Sequence, residues 1–439
     1  MTCFPRTSRL ALFFGLILLS ELSLLSGAES RGMALPSVPG AVWWKGNLHT
    51  HTLWSDGDDF PEMVADWYKN HGYHFLGLSD HNLLQRGEKW VTVTNLLFKE
   101  LTVDRYRTRW GNFWVQTREQ NGREQVRLKT FDEFRPMLEE KGKFLLIPAT
   151  EITGGYKIWP VHVNASNIQT PLSAPYGESV FDVMQGAVNQ VLQQRAFTGQ
   201  PMIPHINHPN FGWALTAEDI ARLRGEHFFE VYNGHPDVHN FGDGTRAGTE
   251  KIWDVVLALR LSQPASGLGI LFALAVDDSH RYHEFGKNES NPGRGWIMIR
   301  SLRLESNELI RAMERGDFYS STGVRLLDVQ RDRHRLTVQV DPEPGVTYTI
   351  RFIGTPRGFN SQSIPIIAHD GRPYATTRHY SSEVGKVLRE VYGTSASYES
   401  DGSELYVRAK VISSKPKEDA QTPDERQMAW TQPAVLAPN

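Results

Sequence analysis

The stretch Trp43-Trp44-Lys45-Gly46-Asn47-Leu48-His49-Thr50-His51-Thr52-Leu53-Trp54-Ser55-Asp56 decides how the rest of the chain is read. A short apolar run closes in a His-x-His pair and is followed by a carboxylate, the pattern of a strand whose last residues carry ligand-type side chains. Side chains alternate along a strand, so His49 and His51 face the same way and can share one metal ion. The pattern recurs downstream. Asp80-His81 ends the predicted strand His74–Ser79, Glu151 follows Phe144–Ala149, and His162 lies in Val161–Ala165. His205 and His208 end Pro201–Ile206, and Asp277-Asp278-Ser279-His280 follows Ile270–Val276. Predicted strands Phe228–Tyr232 and Trp296–Ile299 complete the set.

Between these strands, Pro61–Asn70, Phe131–Glu140, Val180–Gln194, Ala217–Arg224, Lys251–Leu261 and Glu305–Arg315 repeat apolar residues near the helical period. Alternation of this kind across residues 43–322 predicts an α/β fold, a closed or nearly closed barrel of βα units. The carboxyl ends of barrel strands converge on one face, which brings the ligand-type residues together across more than 200 positions. Residues 83–130 break the alternation and read as an insertion, more basic than acidic and rich in Trp and Phe: either a surface excursion or a lid over the site. From about 323 the pattern turns to period-two runs such as Leu336–Val340 and Thr347–Phe352, which predicts a small β-rich C-terminal domain over 323–439 with an irregular tail after Ser413.

Composition narrows the chemistry. The 439 residues carry 16 His and one Cys, and that Cys is Cys3, so thiolate ligands and a disulfide framework are excluded and histidine with carboxylate must do the work. Residues 1–28 read as a signal peptide: Arg6 and Arg9, an apolar run from Leu10 to Leu25 broken by Glu21, then Ser26-Gly27-Ala28. The expectation is an exported protein, periplasmic or extracellular, with no stable membrane span after cleavage. A formal charge of −3 gives no support for nucleic-acid binding. His71, His74 and His227 lie at the opposite strand ends and read as structural, and His334, His369 and His379 as solvated.

Taken in order, these residues resemble the polymerase-and-histidinol-phosphatase (PHP) superfamily of metal-dependent hydrolases over residues 43–322. The resemblance implies a distorted (β/α)7 TIM-like barrel holding two or three divalent ions, Zn, Mn or Fe. It implies that His49, His51, Glu151 and Asp278 hold the first metal. Glu151 would bridge to a second with His162 and His208, and Asp56, His81 and His280 would hold a third. Trp44–His51, Phe318-Tyr319-Ser320-Ser321 and Ala429-Trp430-Thr431 are similar to the carbaryl-hydrolase-like branch.

Metal lowers the pKa of bound water from about 15.7 to near 7, which supplies hydroxide for hydrolysis without a serine or cysteine nucleophile. The expected activity is a phosphoesterase acting on a small molecule, anionic or aromatic, with a carbamate, amide or carboxylic-ester hydrolase as the alternative. A non-catalytic binding module with structural metal is a further alternative. His205, three residues before His208, reads as an alternative ligand, a supporting group or a proton donor. His283 and Arg281 follow the last ligand motif and are candidates for proton donation and substrate orientation. Arg294 and the group Asn233, His235 and His239 also reach toward the metal-bearing face, and His235 is a second candidate proton donor.

Overall fold

The computed structural model describes residues 40–368 and 370–437. The segment read as a signal peptide and His369 lie outside the described residues. Among those residues no helix is long and apolar enough to cross a membrane.

The first half of the chain forms β1 (Val42–Asn47), α1 (Pro61–Asn70), β2 (Phe75–Leu78), β3 (Lys89–Thr92), α2 (Glu100–Trp110), β4 (Thr117–Gln120), β5 (Arg123–Leu128), α3 (Phe131–Leu138), β6 (Leu145–Tyr156), β7 (Trp159–Ser166), α4 (Val180–Thr198) and β8 (Ile203–Ile206). There follow α5 (Ala217–Arg222), β9 (Phe228–Asn233), α6 (Thr249–Leu261), β10 (Phe272–Val276), β11 (Trp296–Ser301), α7 (Ser306–Glu314) and β12 (Phe318–Ser321). The remainder is β: β13 (Leu326–Arg331), β14 (Arg335–Val340), β15 (Tyr348–Pro356), β16 (Ser363–Ile364), β17 (His379–Tyr380), β18 (Lys386–Tyr392), β19 (Ser395–Glu399), β20 (Glu404–Pro416) and β21 (Arg426–Thr431).

One mixed sheet of 13 strands organises the α/β fold, in the order β10-β9-β8-β7-β6-β2-β1-β11-β12-β21-β20-β15-β18. The pairs β1/β2, β2/β6, β8/β9 and β9/β10 are parallel, whereas β6/β7, β7/β8 and β1/β11 are antiparallel. This departs from the expected run of parallel βα units, and the cause is local. β6 does not stop at Ala149 but runs through Glu151 to Tyr156, and only Lys157 and Ile158 separate it from β7. Two residues make a hairpin and cannot house a crossover helix; Lys157 adopts the left-handed backbone the turn needs.

The curl of the sheet is completed by side chains. The free edge of β10 meets the amide of Gln432, whose Oε1 accepts from Ala273 N at 2.8 Å while its Nε2 donates to Ala273 O at 2.8 Å. Ser320 Oγ of β12 donates to the same carbonyl at 2.7 Å. A carboxamide thus stands in for the missing ladder, satisfying backbone groups that would otherwise be buried unpaired. Outside the sheet, Val183, Met184, Ala187, Val188 and Val191 of α4 and Ile252, Val255, Val256 and Leu257 of α6 bury their apolar faces in one continuous core.

Residues 83–130 form a separate three-stranded sheet, β3-β5-β4, with α2 beside it. Its own core, including Val93, Leu96, Val103, Val126 and Leu128, takes in Trp54 and Phe60 from the segment that follows β1. Tyr106 stacks on Phe60 at 3.9 Å and gives its hydroxyl proton to buried Glu62. The insertion is therefore docked on the loop that carries Asp56.

β15, β18, β20 and β21 continue the main sheet across the sequence division at 322/323, while β13, β14 and β19 form a small sheet of their own. The tail expected to be irregular after Ser413 holds the end of β20 and all of β21, which pairs with β12 on one edge and β20 on the other. Met428, Ala429, Trp430 and Thr431 of this strand are all buried, although the segment that leads into it is polar.

An ion network fastens this region to α6. Buried Arg408 donates to Asp254 from Nε at 2.8 Å and from Nη2 at 2.7 Å, and Nη2 also reaches Glu250 at 3.0 Å. Removing one partner of a buried pair leaves an uncompensated charge, so Arg408→Ala is expected to lower unfolding stability by about 3–5 kcal/mol. Arg351→Ala, which breaks an exposed pair with Glu390, is expected to cost about 1 kcal/mol or less. Urea unfolding of the two variants checks the difference.

Candidate metal centre

The site is assembled where the ends of β1, β2, β8 and β10 meet the middle of the β6–β7 hairpin, which carries Glu151 and His162. Backbone bonds lace the two richest ligand segments together: His51 N donates to Ser279 O and Asp278 N donates to His49 O, both at 3.0 Å. Gly57 permits the tight turn that returns Asp56 toward His51, since a Cβ there would lie 2.6 Å from His51 O. Asp278 and His208 both have positive φ, 51° and 20°, a conformation that non-glycine residues seldom hold without support from their surroundings. Asp80 sits beneath the β1 turn and accepts from Thr52 N, Thr52 Oγ1, Ser55 Oγ and Gln85 Nε2 at 2.6–2.8 Å.

All nine residues proposed as ligands from the sequence come together. His49 Nε2 lies 3.1 Å from Asp278 Oδ1 and 3.4 Å from Glu151 Oε1, and His51 Nε2 lies 3.3 Å from Asp278 Oδ1. Glu151 Oε1 is also 3.0 Å from His162 Nδ1 and 3.4 Å from His208 Nε2. Asp56 lies 3.3 Å from His81 Nε2 and 3.5 Å from both His51 Nδ1 and His280 Nε2. Three groupings have ligand atoms close enough to hold one ion each: His49, His51 and Asp278; His49, Glu151 and His208; and His51, Asp56, His81 and His280. Asp56 is about half exposed and His81 a quarter, whereas His49, His51 and Glu151 are sealed, so the centre opens on the Asp56 side.

The donors fit a cation on their own evidence. His49 Nε2, His51 Nε2 and His162 Nδ1 are buried and make no hydrogen bond among the described residues, although each points at a carboxylate. A buried polar atom without a partner costs about 1–3 kcal/mol. Three of them aimed at one place are accounted for by a divalent ion, and an imidazole and carboxylate set without thiolate suits Zn, Mn or Fe. Burial alone would neutralise Glu151 and Asp278, but His162 and His49 hold the first, and His49 and His51 the second, well below the usual carboxylate range. Burial and the neighbouring His280 push His51 down to about 4, which leaves it a neutral ligand. Ionised carboxylates and a neutral His51 are the forms that bind metal, whereas the carboxylates around His49, His81, His208 and His280 raise those rings, which must release a proton to bind it.

A fourth grouping, His49, His205 and Glu230, contains a residue the sequence reading passed over. Glu230 lies within the apolar strand Phe-Phe-Glu-Val-Tyr and is fully buried. Its Oε1 is 2.6 Å from His49 Nδ1 and 3.2 Å from His205 Nε2, and its Oε2 accepts from His208 N at 2.8 Å and Asn233 Nδ2 at 2.9 Å. With its oxygens so engaged it acts as a clamp: accepting the His49 Nδ1 proton frees Nε2 to face the other ligands. The available signal was a lone acid in an otherwise apolar strand, which only pays off when a buried base faces it.

The remaining candidates divide. His205 lies behind the ligands against Glu230, away from the open side. His283 is held at both nitrogens, by Asp58 O at 3.2 Å and by Arg105 of the insertion. Arg281 is partly exposed, 3.7 Å from Glu289. Arg294 is buried and donates to Gly234 O and Gly286 O, a structural tie. His239 stacks on Trp213, while Asn233 donates to Asp278 Oδ2 at 3.0 Å and His235 stands at the rim. His74, His227 and His334 each face backbone groups elsewhere in the fold.

No family model matches the sequence, and no curated protein does. Among solved structures, the chain is similar to a two-domain protein from Bacteroides vulgatus ATCC 8482 described as containing a predicted PHP-like metal-dependent phosphoesterase: 13% identity, TM-score 0.41, covering 92% of this chain and 98% of that one. An amidohydrolase from Chromobacterium violaceum with bound sulfate matches at 13% identity and TM-score 0.28, over 54% of this chain and 88% of its own. A protein from Bifidobacterium adolescentis ATCC 15703 assigned as a metal-dependent phosphoesterase matches at 11% and 0.28, over 61% and 94%. Likenesses this distant do not assign a family.

Two outcomes follow from the geometry. Glu230→Gln keeps the shape but removes the acceptor charge behind His49, and is expected to weaken metal binding about 10–100-fold in a Mn²⁺ or Zn²⁺ titration. Beneath the insertion, burial raises Asp59 to about 7. Its folded pKa exceeds the unfolded value, so its contribution to stability is full below about pH 4 and is lost as pH rises toward 7. Asp59→Asn is therefore expected to unfold at higher urea than the parent at pH 8, with the gap closing at pH 4.

Proposed function

We propose that the protein is a metal-dependent hydrolase with a di- or trinuclear centre, acting on phosphoesters of small molecules. The observation that carries this is the convergence of His49, His51, Glu151 and Asp278 with His162, His208, Asp56, His81 and His280, three of whose buried ring nitrogens make no hydrogen bond among the described residues. Divalent ions, when bound, supply a Lewis acid toward a substrate oxygen and lower the pKa of water.

The chain's own residues do the rest. Glu151 touches His49, His162 and His208, and so is placed to bridge two ions. Asn207 Nδ2 donates to Glu151 Oε1 at 2.7 Å and holds that carboxylate in one orientation. Glu230 sets the His49 ring. Asp56, half exposed, marks the entrance, and the closed wall of His49, His51 and Asp278 keeps bulk water from the far side. The resemblance carried by the nine ligand positions favours phosphoesters over carbamates, amides and carboxylic esters. Residues 1–28 support export to the periplasm or beyond.

Purified protein replete with Mn²⁺ or Zn²⁺ is expected to bind at least two ions per chain and to hydrolyse an aryl phosphate or phosphodiester faster than an aryl carbamate. His49→Ala is expected to reduce turnover to background and to release metal by elemental analysis. Hydrolysis of the carbamate alone would overturn the substrate class. Metal retained without hydrolysis of any of the three would favour a binding module.

A further inference from the structure

His235 follows β9 in Asn233-Gly234-His235-Pro236, and the backbone that carries it is fixed at every polar group. Asn233 N and Asn233 O are bonded to the side chain of Asn240, at 2.9 and 2.7 Å. Gly234 N donates to Val276 O at 3.0 Å, and Gly234 O accepts from Arg294 at 2.9 Å. A Cβ at Gly234 would lie 2.7 Å from Asp277 O, so only glycine allows this close seating against the β10 end. His235 N donates to Asn233 Oδ1 at 2.8 Å. His235 O accepts from Gln421 Nε2 at 3.0 Å, and Gln421 Oε1 in turn accepts from Asn240 Nδ2 at 2.9 Å. Gln421 belongs to the loop between β20 and β21, so a residue nearly 200 positions away fastens the turn.

The ring is oriented as firmly as its backbone. It stands perpendicular to the His280 ring at 5.5 Å and to Phe211 at 6.0 Å, and Phe211 itself packs on His208 at 5.1 Å. The imidazole thus overlooks the centre from beside His280 and Phe211. Asp237 N donates to its Nδ1 at 3.2 Å, which places the proton of the neutral ring on Nε2. Nε2 makes no hydrogen bond among the described residues, and the side chain keeps about a fifth of its surface open. His283, the other candidate, has both nitrogens engaged. A fixed donor with a free N–H at the rim of a charged site is the arrangement that stabilises developing negative charge without reorganisation.

We infer that His235 Nε2–H donates a hydrogen bond to a non-bridging oxygen of the substrate's phosphoryl group, on which negative charge is carried during hydrolysis, with Gln421 as its positioning residue. The inference rests on the hydrolase reading above. The proton stays on His235 throughout: no bond to it is made or broken, and water supplies the proton that the leaving group takes.

The test uses the full chain loaded with Mn²⁺ and 4-nitrophenyl phosphate. His235→Ala is expected to lower kcat about 10²-fold and to raise KM about tenfold, with no change in bound metal. His235→Gln, which restores an N–H, is expected to recover about tenfold of that loss. Phenyl phosphate should suffer by the same factor, because no proton is transferred; a loss that grows with leaving-group basicity would overturn the assignment. Gln421→Ala is expected to lower kcat about tenfold alone and to add nothing in the His235→Ala background. An additive loss would remove Gln421 from the inference. A kcat for His235→Ala within about twofold of the parent would remove His235.

Inorganic phosphate binding to the Mn²⁺-loaded protein, measured by calorimetry, separates this inference from the hydrolase reading. The His235→Ala variant is expected to bind about tenfold more weakly than the parent. If the parent hydrolyses nothing but this difference persists, the hydrolase reading fails and the donor stands. Equal phosphate affinity in both proteins overturns the donor whatever the activity.

Discussion

Two carboxylates kept ionised almost out of reach of water govern this structure. Burial pushes Glu151 and Asp278 toward their neutral forms, and the imidazoles around them reverse the shift. Such compensation works only if His49, His51, His162 and His208 are held within a few ångström, because the attraction between opposite charges weakens as they separate. The Glu230 clamp, the Asn207 tie and the backbone bonds between the β1 and β10 ends all serve that placement. Strained backbone at Asp278 and His208 is tolerated for the same reason.

Much of the centre was legible because ligand-type residues fall at strand ends, and strand periodicity with the carboxyl-end rule brings them together without knowledge of the loops. His49-x-His51 meets in one grouping with Asp278, whereas Asp278 and His280, which follow β10 with Asp278 in a left-handed backbone, fall in different groupings. What escaped it depends on partners far away in sequence. Glu230 looks like an isolated acid in an apolar run until His49 is placed 2.6 Å from it. The β6–β7 hairpin was hidden because Thr153-Gly154-Gly155-Tyr156 reads as a loop; the strand persists there only because Val161 and Pro160 pair across it. β21 was missed because the segment leading into it is polar, and its burial depends on β12 and β20 on either side. Periodicity reports what a segment can bury, whereas sheet order is set by which edges meet.

Two regions outside the alternating βα pattern buttress the mouth of the centre. The insertion packs on Trp54 and Phe60, next to Asp56, and its Lys89 donates to Trp54 O at 2.5 Å. The β20–β21 loop grips the turn after β9 through Gln421. The rim is therefore built in part from chain segments remote from the strands that bring the His, Asp and Glu groupings together.

The position of β21 also bears on how the chain is made. Its neighbour β12 ends at Ser321 and is synthesised about a hundred residues before it, yet the two are adjacent in the finished sheet. A nascent chain emerging amino end first must hold the edge of β12 open, with Ser320 and Ala273 awaiting Gln432, while residues 322–425 leave the ribosome. An exposed strand edge of that kind invites pairing with other chains. The long interval between these two strands makes folding during translation a matter of protecting one edge until β21 has emerged.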